Sequence, residues 1–165
     1  MNFRVFEQTL NEAIALPKPK SDFSGLKWGA RLEGSRVYRF KMGGHDYLLD
    51  FTIDTYLTEM NYILRWDVRT MKKEFELVPL DNPFELTDII TKANVETIRD
   101  IQKGGYQVSG LKMYYVREPN EEKNVRAIVF NRAIHKAFEE LGLKYDTEVN
   151  EIRGIVLYEF TFREK

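Results

Sequence analysis

The sequence predicts an α+β fold: a four-stranded antiparallel meander followed by helix, strand, helix and strand, with both helices packed on one face of the sheet. Two observations predict it. Apolar and polar residues alternate through residues 36–79, and two later segments carry apolar residues at helical spacing, each next to a strand-like run. The 165 residues fit a single domain, with an N-terminal helix and connector in residues 1–35 and the sheet–helix core in residues 36–165.

The meander is predicted from the alternation in residues 36–79, which short turns divide into four runs. The turns lie at Gly43 and Gly44, near residues 57–59 and near residues 71–73. Because successive side chains of a strand point to opposite faces, one parity is expected to be buried. The inward parity consists of Tyr38, Phe40, Met42, Tyr47, Leu49, Phe51, Ile53, Tyr62, Leu64, Trp66, Val68, Phe75 and Leu77.

The outward parity of these strands is charged, with aspartates on the second strand and mainly basic residues on the first and third. Opposite charges on neighbouring strands attract each other by roughly a few tenths of a kcal/mol per pair. We therefore expect cross-strand pairing here, which disfavours a phosphate-binding face. The residues concerned are Arg39, Lys41, Asp46, Asp50, Asp54, Arg65, Asp67 and Arg69.

The first helix after the meander carries start and stop signals. Asn82 is a good N-cap residue, Pro83 fits the first turn, and Glu85 completes a capping box. Gly104 and Gly105 end the helix, because glycine adopts the backbone conformation that follows a helix at little cost.

A strand, a second helix and a last strand are predicted to follow. The strand at residues 106–116 changes phase near Gly110, which predicts a bulge. The helix spans residues 125–141, and the last strand spans residues 151–163 with apolar residues on both faces, which predicts an interior position. Eight residues are expected to share one core: Phe40, Leu49, Phe51, Leu64, Trp66, Ile90, Phe138 and Phe160.

The N-terminal segment supplies the candidate partner-binding residues. Residues 2–15 suit an amphipathic helix, and the connector after it has a short strand predicted near residues 27–33. Either Phe23 and Trp28 pin the connector to its own domain, or the connector binds a partner beside a sheet edge where a partner strand can add. The second interpretation uses Trp28 and Phe23 as contacts, with Lys18, Lys20 and Arg31 at the rim.

Composition restricts the chemistry. The 25 Lys and Arg residues against 26 Asp and Glu give a net charge of −1, so no global basic field attracts nucleic acid. There is no cysteine, and neither His45 nor His135 has a second histidine at i±2 or i±4, so HxH and HxxxH metal sites are absent. The N-terminus lacks the apolar core of a signal peptide, and no run approaches transmembrane length. We expect a cytoplasmic protein with no membrane association, no metal site and no cofactor.

Nucleic-acid binding is the alternative that the basic residues suggest. Arg132 and Lys136 stand four residues apart on one helix face, and glutamates in the preceding loop dilute their field. The candidate phosphate-binding residues are Arg65, Arg69, Arg126, Arg132 and Lys136.

The segment from Asn82 through the second helix resembles a pattern in small uncharacterised proteins of tailed phages. The resemblance covers about residues 45–145, and its matching positions are Asn82, Phe84, Arg126, Phe130, Arg132, Leu141 and Gly142. It implies a phage-encoded accessory protein that works in the host cytoplasm and acts on a host or phage macromolecule. It carries no particular activity with it.

The second helix also resembles the acyl-CoA-binding helix of GNAT-type acetyltransferases, which follows a glycine-rich pyrophosphate loop. Here the loop is EPNEEKNV, residues 118–125, with no glycine and three carboxylates. A diphosphate would meet negative charge there. The predicted function is therefore a non-catalytic binding or accessory protein without catalytic residues, and a degenerate GNAT-like acyltransferase is kept as an alternative.

Overall fold

The computed structural model describes residues 15–70, 82–116 and 125–163, which form a six-stranded sheet with two helices on one face. In chain order the elements are β1 (Ser35–Met42), β2 (His45–Thr58), β3 (Asn61–Thr70), α1 (Pro83–Lys103), β4 (Gln107–Val116), α2 (Val125–Leu141), β5 (Tyr145–Ile152) and β6 (Ile155–Phe162).

The strand order in the sheet is β1-β2-β3-β4-β6-β5. β3 and β4 are parallel and are joined through α1, whereas all other neighbours are antiparallel. The α+β class is therefore confirmed, with a mixed sheet that is mostly antiparallel.

The predicted order of elements is matched in part. β1, β2 and β3 form an antiparallel meander as expected, whereas the fourth predicted strand, with Phe75 and Leu77, lies outside the described residues. Among the described strands, the neighbour of β3 away from β2 is β4, and this pairing is parallel. A helix long enough to cross the sheet makes that parallel connection possible.

The last strand predicted over residues 151–163 is confirmed in part, because β6 covers residues 155–162, whereas residues 151–154 form the end of a further strand, β5, and the turn between β5 and β6. Arg153 (φ 52°) and Gly154 (φ 78°) both adopt the left-handed conformation and form a two-residue turn. β5 is polar because it is the outermost of the described strands beyond β6. β6 lies between β4 and β5, as its two apolar faces predicted.

Three local predictions are confirmed. The register between β3 and β4 shifts opposite Ser109 and Gly110, which is the expected bulge. The Asn82 side chain accepts a hydrogen bond from the Glu85 amide at 3.1 Å and so caps α1. All eight predicted core residues are buried in one cluster between the sheet and the helices: Phe40, Leu49, Phe51, Leu64, Trp66, Ile90, Phe138 and Phe160.

The two faces of the sheet differ in what covers them. On the helix face, Trp66 of β3 packs edge-on against Phe130 of α2, with ring centroids 6.1 Å apart. The far face, opposite α1 and α2, carries the residues that alternate with the buried ones along each strand, such as Arg65 and Asp67 on either side of Trp66. Cross-strand charge pairing is present there, with Arg69 Nη2 3.2 Å from the Asp50 carboxylate.

Candidate partner-binding surface

The connector runs along the outer edge of β1 and bonds to it. Lys20 N–H donates to the Val37 carbonyl at 2.7 Å, and Val37 N–H donates to the Ser21 carbonyl at 3.0 Å. Farther along, Ser24 forms an isolated bridge with Glu33. The predicted strand near residues 27–33 is therefore reduced to single bridges. Because these bonds occupy part of the β1 edge, that edge is a poor place for a partner strand.

Two buried tyrosines fix the middle of the connector. The Tyr106 hydroxyl lies among the backbone carbonyls of Gly25, Lys27 and Ala30, with the Lys27 carbonyl oxygen at 3.0 Å. The Tyr62 hydroxyl accepts a hydrogen bond from Leu32 N–H at 3.1 Å. The two rings meet edge-on at 5.5 Å. The connector is thus held against β3 and β4 from inside the domain.

Trp28 is exposed but held in place. It follows Lys27 in a turn closed by a 3.1 Å hydrogen bond from Ala30 N–H to the Lys27 carbonyl. Its side chain is 78% exposed. One side of the indole ring lies against the backbone of Gly105, where any β-carbon would overlap the ring. The connector and Gly105 therefore support the ring from below and leave its other side in water.

Exposed apolar residues from β2 lie at the same end of the molecule. The Arg31 guanidinium stands 4.0 Å from the centroid of the Tyr56 ring, a cation–π geometry. Tyr56 is 53% exposed and Leu57 is 56% exposed. We call Trp28, Arg31 and Tyr56 the Trp28 surface. It holds two of the seven exposed large hydrophobic residues in the described part of the chain, including the most exposed of them, Trp28, which makes it the leading candidate interface.

The predicted partner-binding residues are brought together only in part. Trp28 and Arg31 lie on the Trp28 surface. Phe23 is 5% exposed and belongs to the core, so its side chain anchors the connector and does not face a partner. Lys18 and Lys20 are exposed where the connector runs along β1.

The predicted nucleic-acid-binding residues do not form one surface. Arg65 and Arg69 lie on the far face of the sheet, and Arg69 is paired with Asp50. The other three residues, Arg126, Arg132 and Lys136, belong to α2, which packs on the helix face. The sheet therefore separates the five residues into two groups.

The far face also holds a partly buried group of polar side chains. The Tyr114 hydroxyl donates to Asp67 Oδ2 at 2.6 Å, and Asp67 is only 8% exposed. Burial raises the pKa of Asp50, and so does the charge of Asp67, while the arginines Arg69 and Arg65 oppose the shift. Burial and the hydrogen bond to Asp67 raise the pKa of Tyr114 above its usual range, so this tyrosine stays protonated near neutral pH.

The histidines and acidic residues of the described segments do not converge on a metal site. His45 lies edge-on to Tyr47, and His135 is hydrogen-bonded to Tyr145. Within residues 15–70, 82–116 and 125–163, there is no group of three or more histidines and carboxylates that could hold a metal ion.

The fold and its surfaces define an α+β protein with a mixed sheet and an exposed aromatic patch. The chain matches no protein-family model, and it matches none of the curated proteins with which it was compared. Neither of the two described helices is long and apolar enough to cross a membrane.

Proposed function

We propose that this chain is a non-catalytic binding or accessory protein that holds a protein partner through the Trp28 surface. The observation that carries the proposal is Trp28, a large aromatic side chain that is 78% exposed on a fixed backbone. The resemblance to tailed-phage proteins supports a phage origin and a role in the host cytoplasm, and both belong to the proposal.

The fixed position of Trp28 favours affinity. Binding has to offset the ordering of interface side chains, roughly 0.5–1.5 kcal/mol for each flexible one. Gly105 and the turn already restrict the indole, and Arg31 is already stacked on Tyr56. A partner with an apolar pocket for the indole would therefore bury Trp28 at little entropic cost.

Charge at the rim sets the chemistry of the partner. Arg31 lies within the surface, and Lys18 and Lys20 extend the basic character along the connector. Complementary charges at a rim mainly raise the rate of association. The partner is expected to carry carboxylates around its indole pocket.

The test compares Trp28→Ala with a matched control, Phe84→Ala. Phe84 is 73% exposed and lies at the start of α1, whereas the Trp28 ring lies against Gly105, which follows the end of this helix. The 21 residues of α1 separate the two ends by about 30 Å. A partner captured from lysate by the immobilised wild-type chain would then be titrated against both variants.

The expected result is a loss of about 30-fold or more in affinity for Trp28→Ala, because central aromatic residues of interfaces contribute about 2 kcal/mol or more. Phe84→Ala should bind as the wild type does. Equal binding by Trp28→Ala and the wild type contradicts the proposal. If nuclease treatment abolishes the capture, the result would favour the nucleic-acid alternative.

A second candidate is the degenerate GNAT-like acyltransferase. The observation in its favour is that α1 and α2 follow the parallel neighbours β3 and β4, since ligands of open sheets lie beyond the carboxyl ends of parallel strands. Against it, the loop that leads into α2, residues 118–125, has three carboxylates and no glycine. Carboxylates in this loop repel the diphosphate of an acyl-CoA, so binding without catalysis remains the preferred function.

A further inference from the structure

A groove crosses the far face of the sheet, independent of the Trp28 surface. Its volume is about 470 Å³, within the size range of small-molecule sites. One end is lined by Arg65, Lys112 and Tyr114 from β3 and β4, and the other end by apolar residues of the β5–β6 hairpin. These apolar residues are Ile152, Ile155 and Leu157.

The groove is lined by more cations than carboxylates. Arg65, Lys112 and Arg153 line it with Asp54, so three cations face one carboxylate. Asp54 is engaged by Lys112, whose Nζ lies 2.9 Å from Asp54 Oδ2 and 3.8 Å from Glu159. Lys112 is therefore paired within the protein, and Arg65 and Arg153 are the two lining cations that remain for an anion entering the groove.

Arg65 is the cation best placed to hold that anion. Its guanidinium carbon lies 5.6 Å from the centroid of the Tyr114 ring, which supports it from one side. Of the nearby carboxylates, Asp50 pairs with Arg69 at 3.2 Å and Asp67 accepts a hydrogen bond from Tyr114 at 2.6 Å, and neither makes an ion pair with Arg65 within 4 Å. Among the described residues, no ion pair within 4 Å involves Arg65 or Arg153.

We propose that this groove binds a small amphiphilic anion, a carboxylate that carries an aliphatic chain or an aromatic ring. Arg65 holds the carboxylate, since a guanidinium offers a planar pair of donors that matches it. The apolar part of the ligand covers Leu157, Ile155 and Ile152, the last of which is 70% exposed without a ligand. Charge selects the head group, and the hairpin selects the apolar tail.

The test uses octanoate as the probe, with octylamine and octanol as probes of opposite and no charge, titrated into the full chain by calorimetry. Arg65→Gln removes the charge and keeps a polar, uncharged side chain. The matched control is Arg39→Gln, because Arg39 is an exposed arginine outside the groove, paired at 3.8 Å with Asp46.

Octanoate is expected to bind saturably and better than either other probe. Arg65→Gln should weaken it by about tenfold or more, the loss of a charge-assisted hydrogen bond, and Arg39→Gln should leave it unchanged. Equal binding of the three probes, equal affinity in Arg65→Gln and the wild type, or no saturable binding at millimolar octanoate overturns the proposal.

Methyl resonances of the wild-type chain provide a second measurement that does not depend on how a variant folds. Octanoate should shift the methyl signals of Ile152, Ile155 and Leu157. Ile128, which is 58% exposed on α2, is the internal reference and should not move. Shifts at Ile128 equal to those in the groove would show nonspecific adsorption and would overturn the proposal.

Discussion

Replacing both carboxylates that hold Arg36, as Asp22→Asn together with Asp100→Asn, should lower the free energy of unfolding by about 3–5 kcal/mol. Arg36 lies on β1, 1% exposed, with its Nε 2.6 Å from Asp22 and its Nη1 3.1 Å from Asp100. Burial lowers the pKa of Arg36, but the hydrogen bond to Asp22 and the nearby negative charges outweigh it, so the pKa stands above its ordinary value. The double variant leaves a buried guanidinium without a counter-charge.

Arg36→Met should be less damaging than removing both acids. The Asp22 and Asp100 side chains are 42% and 40% exposed, so water can solvate them once the guanidinium is gone. Restoring stability to the double variant by adding Arg36→Met would show that the buried cation causes the loss. Chemical denaturation measures all of these variants.

The control for this prediction is Asp146→Asn. Asp146 pairs with Arg163 at 2.7 Å, but both side chains are more than half exposed. Its loss should cost less than about 1 kcal/mol. A double variant of the Arg36 acids that is as stable as this control would contradict the role assigned to Arg36.

Trp66→Ala is expected to cost about 3–5 kcal/mol, because it leaves a cavity at the centre of the core. Trp66 is 2% exposed and packs against Phe51 of β2 and Phe130 of α2. Thermal or chemical unfolding measures the loss, and unchanged stability would contradict the assignment of Trp66 to the helix face.

Trp66→Phe is the matched variant for the same position. The indole Nε1 of Trp66 is buried and has no hydrogen-bond partner among residues 15–70, 82–116 and 125–163. Phenylalanine removes this unsatisfied donor and keeps most of the ring contacts, so its cost should be well below that of alanine. A cost as large as that of alanine would show that the size of the indole, rather than an aromatic ring as such, sets the stability.

The sequence predicts the parts of the fold that depend on local pattern. Strict alternation places Tyr38, Leu49 and Trp66 in the core, because a strand with one buried and one solvent-exposed face has only one register that buries its apolar residues. The Asn82 cap and the bulge near Gly110 are likewise encoded by a few adjacent residues. These features need no knowledge of the rest of the chain.

Other features depend on contacts between distant segments, and alternation cannot predict them. Nothing in β3 or β4 marks them as parallel neighbours, since each alternates as an antiparallel strand does. The sequence does not predict β5, because most of its side chains are exposed. Between its ends it has one large apolar residue, Val149, so it shows no alternation of apolar and polar residues. In the sequence, Arg36 cannot be told from any other polar residue at the start of a strand. Only the fold brings Asp22 and Asp100 into contact with it.

The candidate site was predicted in part for the same reason. Trp28 and Arg31 were identified as a large aromatic and a basic residue in an irregular segment. Tyr56 was missed, although two consecutive large apolar residues, Tyr56 and Leu57, at the end of β2 break the alternation and signal an exposed patch. The burial of Phe23 depends on packing that the sequence does not show.

The central claim is that Trp28 stands exposed on a fixed backbone, ready to bind a partner. Acrylamide quenching of fluorescence in Trp66→Phe tests it most directly, because the chain has only two tryptophans and this variant reports on Trp28 alone. Strong quenching with red-shifted emission is expected, and Trp28→Phe should show the weak quenching of buried Trp66. Weak quenching and blue-shifted emission from Trp28 in the isolated protein would contradict the claim.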